Sequence, residues 1–162
     1  MKDLLMYKSN PIFFNHTDLP HYQAEYRGSV LEGYYFRLYE NEIRFMSHRS
    51  GYVTGLSWNV SGKSKYPKVG VTVDNWGTRK TVHLHQIVAQ TFHAYPIPDG
   101  VTESEWKRTP KSVRNHFDSQ YWEANHIDHN HLNFHPDNLE WVSRGVNVDK
   151  YHAHRIDSEY FG

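Results

Sequence analysis

The sequence predicts an α+β protein with a small antiparallel N-terminal sheet, a helical connector and a C-terminal strand–loop–strand–helix unit. Three observations carry that reading. From about residue 33 to 84 the segments YYFRLY, EIRFMS, YVTGLSW, KVGVTVD and KTVHLH are short and rich in β-branched and aromatic residues, with R-S-G-Y, V-S-G-K and D-N-W-G as turns. At HQIVAQTFHAY the pattern changes, and Ile87, Val88, Thr91 and Phe92 fall on one helical face. Beyond residue 120, YWEANHI and NLEWV enclose the polar loop DHNHLNFHPD.

The elements follow in order. The first 30 residues are aromatic and irregular and predict no element. After the strands and the HQIVAQTFHAY helix, Pro96 and Pro98 end the helical pattern. Thr102 with Glu105 three residues on makes a capping box. Thr109-Pro110 offers a second start, with proline at the first helical position, so 103–118 reads as one or two short helices. Ser143 caps a last helix through VNVDKYHAH. The chain thus divides into a β-rich region over 1–98, a connector over 99–121, the strand–loop–strand–helix motif over 122–155 and a tail over 156–162.

Composition narrows the chemistry. The 162 residues hold no cysteine, which removes disulfides, thiolate zinc sites and a cysteine nucleophile. No apolar run reaches the roughly 18 residues of a membrane span, and no membrane partner is expected. The N-terminus MKDLLMYKSNPIFFNH has no small-residue cleavage site, so no secretory leader is expected. Net charge is zero, but it is segregated. Residues 43–98 carry seven cations (Arg44, Arg49, Lys63, Lys65, Lys68, Arg79 and Lys80) against Asp74 alone, a net of +6. Such a block, with Tyr52, Trp58, Tyr66 and Trp76 interleaved, can neutralise DNA phosphates. The plainer alternative is a solvated sheet. Lys107, Arg108, Lys111 and Arg114 form a second cationic row.

The stretch 124–150 concentrates four histidines and five asparagines. A hairpin packed on a following helix brings Asn125 and Asn147 together, and two amide oxygens suit a hard divalent cation such as Mg²⁺. His126, beside Asn125, is of the residue type that accepts protons near neutral pH. A metal with an imidazole suffices to hydrolyse a phosphodiester. His129, His131 and His135 invite a zinc reading, but the loop offers no rigid fourth ligand. Solvent or a DNA backbone is the more natural neighbour for them. Trp122 and Trp141 read as core, and His85 as a buried structural residue or a phosphate contact.

The pattern N-H-I-D-x-N-x-L-N-x-x-P-D-N-L-E-W-V-S-x-x-x-N closely resembles the HNH endonuclease family, of the phage and intron-encoded homing type with a ββα-metal fold. The resemblance implies that His126 is the general base. It implies that Asn138, the middle residue, ties the loop and keeps His126 oriented, and that Asn147 is a metal ligand on the helix. Many relatives have Asp where this chain has Asn125, so a neutral pair would hold the Mg²⁺ or Mn²⁺ more weakly. Asp128 would support the loop or a metal-bound water. Upstream, L-H-Q-I-V-A-Q-T-F is similar to a segment written His-Arg-Leu-Val-Ala in such proteins, with His85 at its histidine and Gln86 at its arginine. The resemblance covers about a quarter of the chain. It implies double-stranded DNA as substrate, no obligatory protein partner, a monomer that nicks or a homodimer that cuts both strands, and a cytoplasmic location, that of the host cell for a phage-encoded protein. A DNA-binding module with a spent site, or a non-specific nuclease, are the other readings.

Overall fold

A computed structural model of the chain describes residues 7–8, 10–13, 20–39, 42–48, 54–55, 58–60, 65–73 and 78–144. The expected mixed α+β character holds, with small antiparallel sheets and three α-helices among the described residues. The chain divides into two compact units, Met1–Ala94 with His126–Glu140, and Tyr95–Asn125 with Trp141–Gly162.

In the first unit the strands form two sheets where one was expected. β1 (His21–Tyr26), β2 (Ser29–Leu38), β3 (Ile43–Ser47) and the short β4 (Thr54–Gly55) make a four-stranded antiparallel sheet in sequence order. β5 (Lys68–Thr72) and β6 (Arg79–His83) pair only with each other. A side chain links the two: the Thr72 N–H donates to the Tyr34 hydroxyl at 2.9 Å. β1 was invisible to the sequence reading, because its turn is Arg27-Gly28 and carries no Asn-Gly or Asp-Gly signal. Arg27 and Gly28 both take positive φ, 51° and 79°, as a two-residue hairpin turn requires, and only Gly28 adopts this without steric strain.

The core sits between this sheet and helix α1 (Leu84–Phe92). Cross-strand neighbours Tyr22 and Phe36 are fully buried, and their rings lie 4.7 and 5.8 Å from that of Phe92. Burying one such ring contributes about 1.5–3 kcal/mol. Ile87, Val88, Thr91 and Phe92 are buried as expected, but so are Leu84, His85, Ala89 and Gln90. α1 is therefore a central helix, covered nearly all round, and not an amphipathic surface helix.

In the second unit, the capping box of α2 (Glu103–Arg108) is formed: Thr102 Oγ1 accepts from the Glu105 N–H at 3.1 Å, and Glu105 Oε2 accepts from the Thr102 N–H at 2.9 Å. α3 (Lys111–Tyr121) begins one residue later than expected. Pro110, with ψ 140°, is the cap and not the first helical residue, and its carbonyl accepts from Val113 and Arg114 at 3.0 Å each. β7 (Trp122–His126) follows at once and pairs with β8 (Leu139–Ser143). Trp122 and Trp141 are half-buried, a correction to their expected core role. The Trp122 indole donates to Asp118 at 3.1 Å, and the Trp141 ring lies tilted against that of Tyr95 at 4.5 Å. The helix expected after Ser143 falls on residues outside the described ones.

Candidate active site

The loop that returns β7 to β8 is closed by its own polar side chains. Asp128 accepts from the Asn130 N–H at 2.8 Å, from Asn133 Nδ2 at 3.0 Å and from Asn138 Nδ2 at 2.9 Å. These donors, Asn133 first, hold its carboxyl below the usual carboxylate range. Asn138 sits in a single 3-10 turn, Pro136–Asn138. Its Oδ1 accepts from the Asp128 N–H at 3.1 Å, its Nδ2 also donates to the Asn133 carbonyl at 2.8 Å, and its own carbonyl accepts from the Ile127 N–H at 2.8 Å. The Asn-rich spacing thus serves the loop: short amides and carboxylates satisfy backbone groups that no strand can reach. His129 stands at φ 60°, in the left-handed region, where the chain turns after His126.

At the head of this loop His126 lies in a cluster of imidazoles. Its ring is 4% exposed and stands 5.0 Å from that of His85, 5.7 Å from that of His131 and 5.7 Å from that of Tyr66. Tyr66 also stacks on His131 at 4.3 Å and contacts His85 at 4.8 Å and His83 at 5.8 Å. The fold brings these together from three places. β5–β6 pairing sets His83 opposite Lys68, α1 begins with Leu84 and His85, and the loop supplies His126 and His131. His126 Nε2, His85 Nδ1 and His83 Nε2 are buried without a hydrogen-bond partner.

Burial sets the proton affinity of the cluster. It pushes His126 down to about 4, with His131 adding to the fall and Asp128 opposing it. Burial, with His126 next, takes His85 down to about 3. His83 is lowered by burial and by Lys68, and His131 by burial, Lys65 and His129. His126 is therefore neutral at neutral pH, the state in which an imidazole can accept a proton.

No family model, curated protein or solved structure matches the chain. The placement of the remaining expected residues stands on geometry alone. Asn125 precedes His126 on β7, and Asn147 lies outside the described residues, as do Arg49 and Lys63. The other cations do not share one face. Lys68 and Arg79 are on the face of the hairpin that carries His83, opposite to Val69, Val71 and Val82. The Arg79 guanidinium approaches Gly70 by one terminal nitrogen, 2.9 Å from where an added Cβ would stand. Lys80 opposes Val71 on the other face, with its ammonium 5.6 Å over the Tyr26 ring. Arg44 belongs to the four-stranded sheet and pairs with Glu42 at 3.0 Å, which corrects the expectation of a single basic sheet. Lys65 is exposed beside Tyr66.

Among the described residues no group of three or more His, Asp or Glu is arranged to hold a metal. His131 turns onto Tyr66, and His135 Nδ1 accepts from the Asp137 N–H at 3.1 Å, so the loop histidines do not converge. Of the loop histidines expected to face solvent or a DNA backbone, His129 is exposed and His131 is half-buried. His85 is buried, and its ring lies 5.0 Å from that of His126. The sequence reading missed Tyr66 as a neighbour of His126, and His83 as a neighbour of His85 and Tyr66. Alternation of His83 and His85 about Leu84 was the one local signal for them. No described helix is long and apolar enough to cross a membrane.

Proposed function

We propose that the chain is a metal-dependent DNA endonuclease of the HNH homing type, with His126 as the general base. One observation carries the reading: His126 is a neutral, buried imidazole with Nε2 unengaged, held at the head of a loop that Asn138 ties by four hydrogen bonds. A loop of this length needs no buried histidine to close it, and a ring nitrogen left unsatisfied costs about 1–3 kcal/mol, a cost typical of functional positions.

The chain's own residues do the following in this reading. His126 Nε2 takes the proton of a water as its oxygen attacks phosphorus. The P–O3′ bond breaks, the 3′ oxygen leaves and is protonated from solvent, and the products carry 5′-phosphate and 3′-hydroxyl ends. Asn138 and Asp128 hold the backbone on either side of the base. Lys65 and Lys68, whose charges reach His131 and His83, neutralise phosphates of the bound strand. Asn125 and Asn147 offer hard amide oxygens that fit a divalent ion, Mg²⁺ or Mn²⁺. When bound, such an ion stabilises charge on the phosphoryl group and on the departing oxygen.

One observation favours a second reading. A base whose proton affinity sits near pH 4 is weak, as it would be in a DNA-binding module whose nuclease site is spent. End chemistry separates the two. Supercoiled plasmid is incubated with Mg²⁺, with Mn²⁺ and with EDTA, then treated with DNA ligase. The nuclease reading expects metal-dependent open circles that ligase reseals directly. Nicks that ligase seals only after end repair contradict the proposed bond cleavage, and retardation of plasmid without nicks favours the binding module.

A further inference from the structure

Tyr7 stands far from the loop in sequence but against it in space. Its ring is 6% exposed and packs edge-on to Phe92 at 5.0 Å and Tyr22 at 6.1 Å. Lys8 fixes it there: its N–H donates to the Phe92 carbonyl at 2.8 Å, and its ammonium reaches the Gln90 carbonyl at 2.6 Å and the Glu25 carboxylate at 2.8 Å. A cation on the last carbonyls of α1 is a favourable helix end. From this anchorage the Tyr7 hydroxyl donates to Asp137 Oδ1 at 2.7 Å. Just beyond α1, His93 Nε2 meets the Pro136 carbonyl at 2.6 Å. The 3-10 turn Pro136–Asn138 is thus tied at two points to the end of the central helix.

We propose that Tyr7 is a positioning residue for His126, acting through this turn; the proposal rests on the nuclease reading above. The path is short and continuous. Tyr7 holds Asp137, and Asp137 adjoins Asn138. Asn138 holds the Ile127 and Asp128 N–H groups, which follow His126 directly. The loop's internal bonds fix its own shape. The hydrogen bonds to Tyr7 and His93 join that shape to the end of the α1 core on which His85 also stands. A phenol-to-carboxylate bond is charge-assisted and directional, so it sets an orientation where apolar packing alone sets a distance.

The test is Tyr7→Phe, which removes the hydroxyl and keeps the ring, with Asp137→Ala and the double variant beside it. Hydrogen exchange is followed at the Ile127, Asp128 and Asn138 amides, with Ile87 and Val88 of α1 as controls. The expected result is exchange faster by about tenfold or more at the loop amides, with the controls unchanged and the double variant no worse than Asp137→Ala. Single-turnover cleavage should fall about tenfold with half-saturating DNA concentration unchanged, since placement and not affinity is lost. Unchanged loop exchange in Tyr7→Phe, or equal loss at the α1 controls, overturns the positioning role. So does strict additivity of the two substitutions. Because exchange needs no activity, a wild type that never cuts removes the nuclease reading and leaves the tie itself decided by the amides.

Discussion

His126 and His85 are buried as neutral rings, and that choice has a cost that pH can read. Unfolded, each takes up a proton near pH 6.5; folded, each resists until about 4 and about 3. Between those values the unfolded chain binds more protons, so stability is full above pH 6.5 and falls as pH drops. The slope is about 1.4 kcal/mol per pH unit for each ring that resists fully. His83 and His131 are lowered in the same sense. Denaturant unfolding between pH 7.5 and 5 should show this loss, and His85→Gln should make the slope shallower by roughly one proton. A flat profile in the wild type would mean that the cluster is solvated. At this scale the sequence was legible in part. His126 and Asn138 lie twelve positions apart in one loop, so local spacing reveals them. Tyr66 lies 60 positions from His126, whose ring it meets, His83 joins the cluster through Tyr66 and His85, and Tyr7 meets Asp137 across 130 positions. No local pattern records such meetings.

Elements that are specified locally came out as read, and those decided by burial did not. The capping box at Thr102 and Glu105 is fixed by residues three apart, and it forms. Thr102→Ala should therefore destabilise by about 1 kcal/mol, read as a lowered denaturation midpoint, and leave any cleavage rate unchanged. A variant as stable as the wild type would show that α2 does not depend on its cap. α1 was legible as a helix but not as a central one: Ala89 and Gln90 are buried on faces that the stripe of Ile87, Val88, Thr91 and Phe92 does not cover. The basic segment was read as one sheet because its strands alternate alike. Which strands pair is set by tertiary context, and the observed pairing puts Arg44 in one sheet and Lys68 and Arg79 in the other.

For the whole molecule, zero net charge conceals a basic middle, and the fold distributes that charge unevenly. Lys68 and Arg79 stand on the hairpin face that carries His83, Lys65 lies just before that hairpin, and Lys80 turns to the opposite face. Phosphate binding in the proposed reading therefore centres on the hairpin next to His126 and not on the four-stranded sheet. In the proposed reading one chain supplies one general base, so a monomer is expected to open one strand. The measurement that tests the central claim most directly is cleavage of supercoiled plasmid by wild type and by His126→Ala, in Mg²⁺ and in EDTA, with plasmid retardation measured alongside. The account predicts open circles from the wild type in Mg²⁺ alone, and a rate at least about 10²-fold lower in His126→Ala at unchanged retardation. If His126→Ala cuts as fast as the wild type, His126 is not the base and the account is wrong.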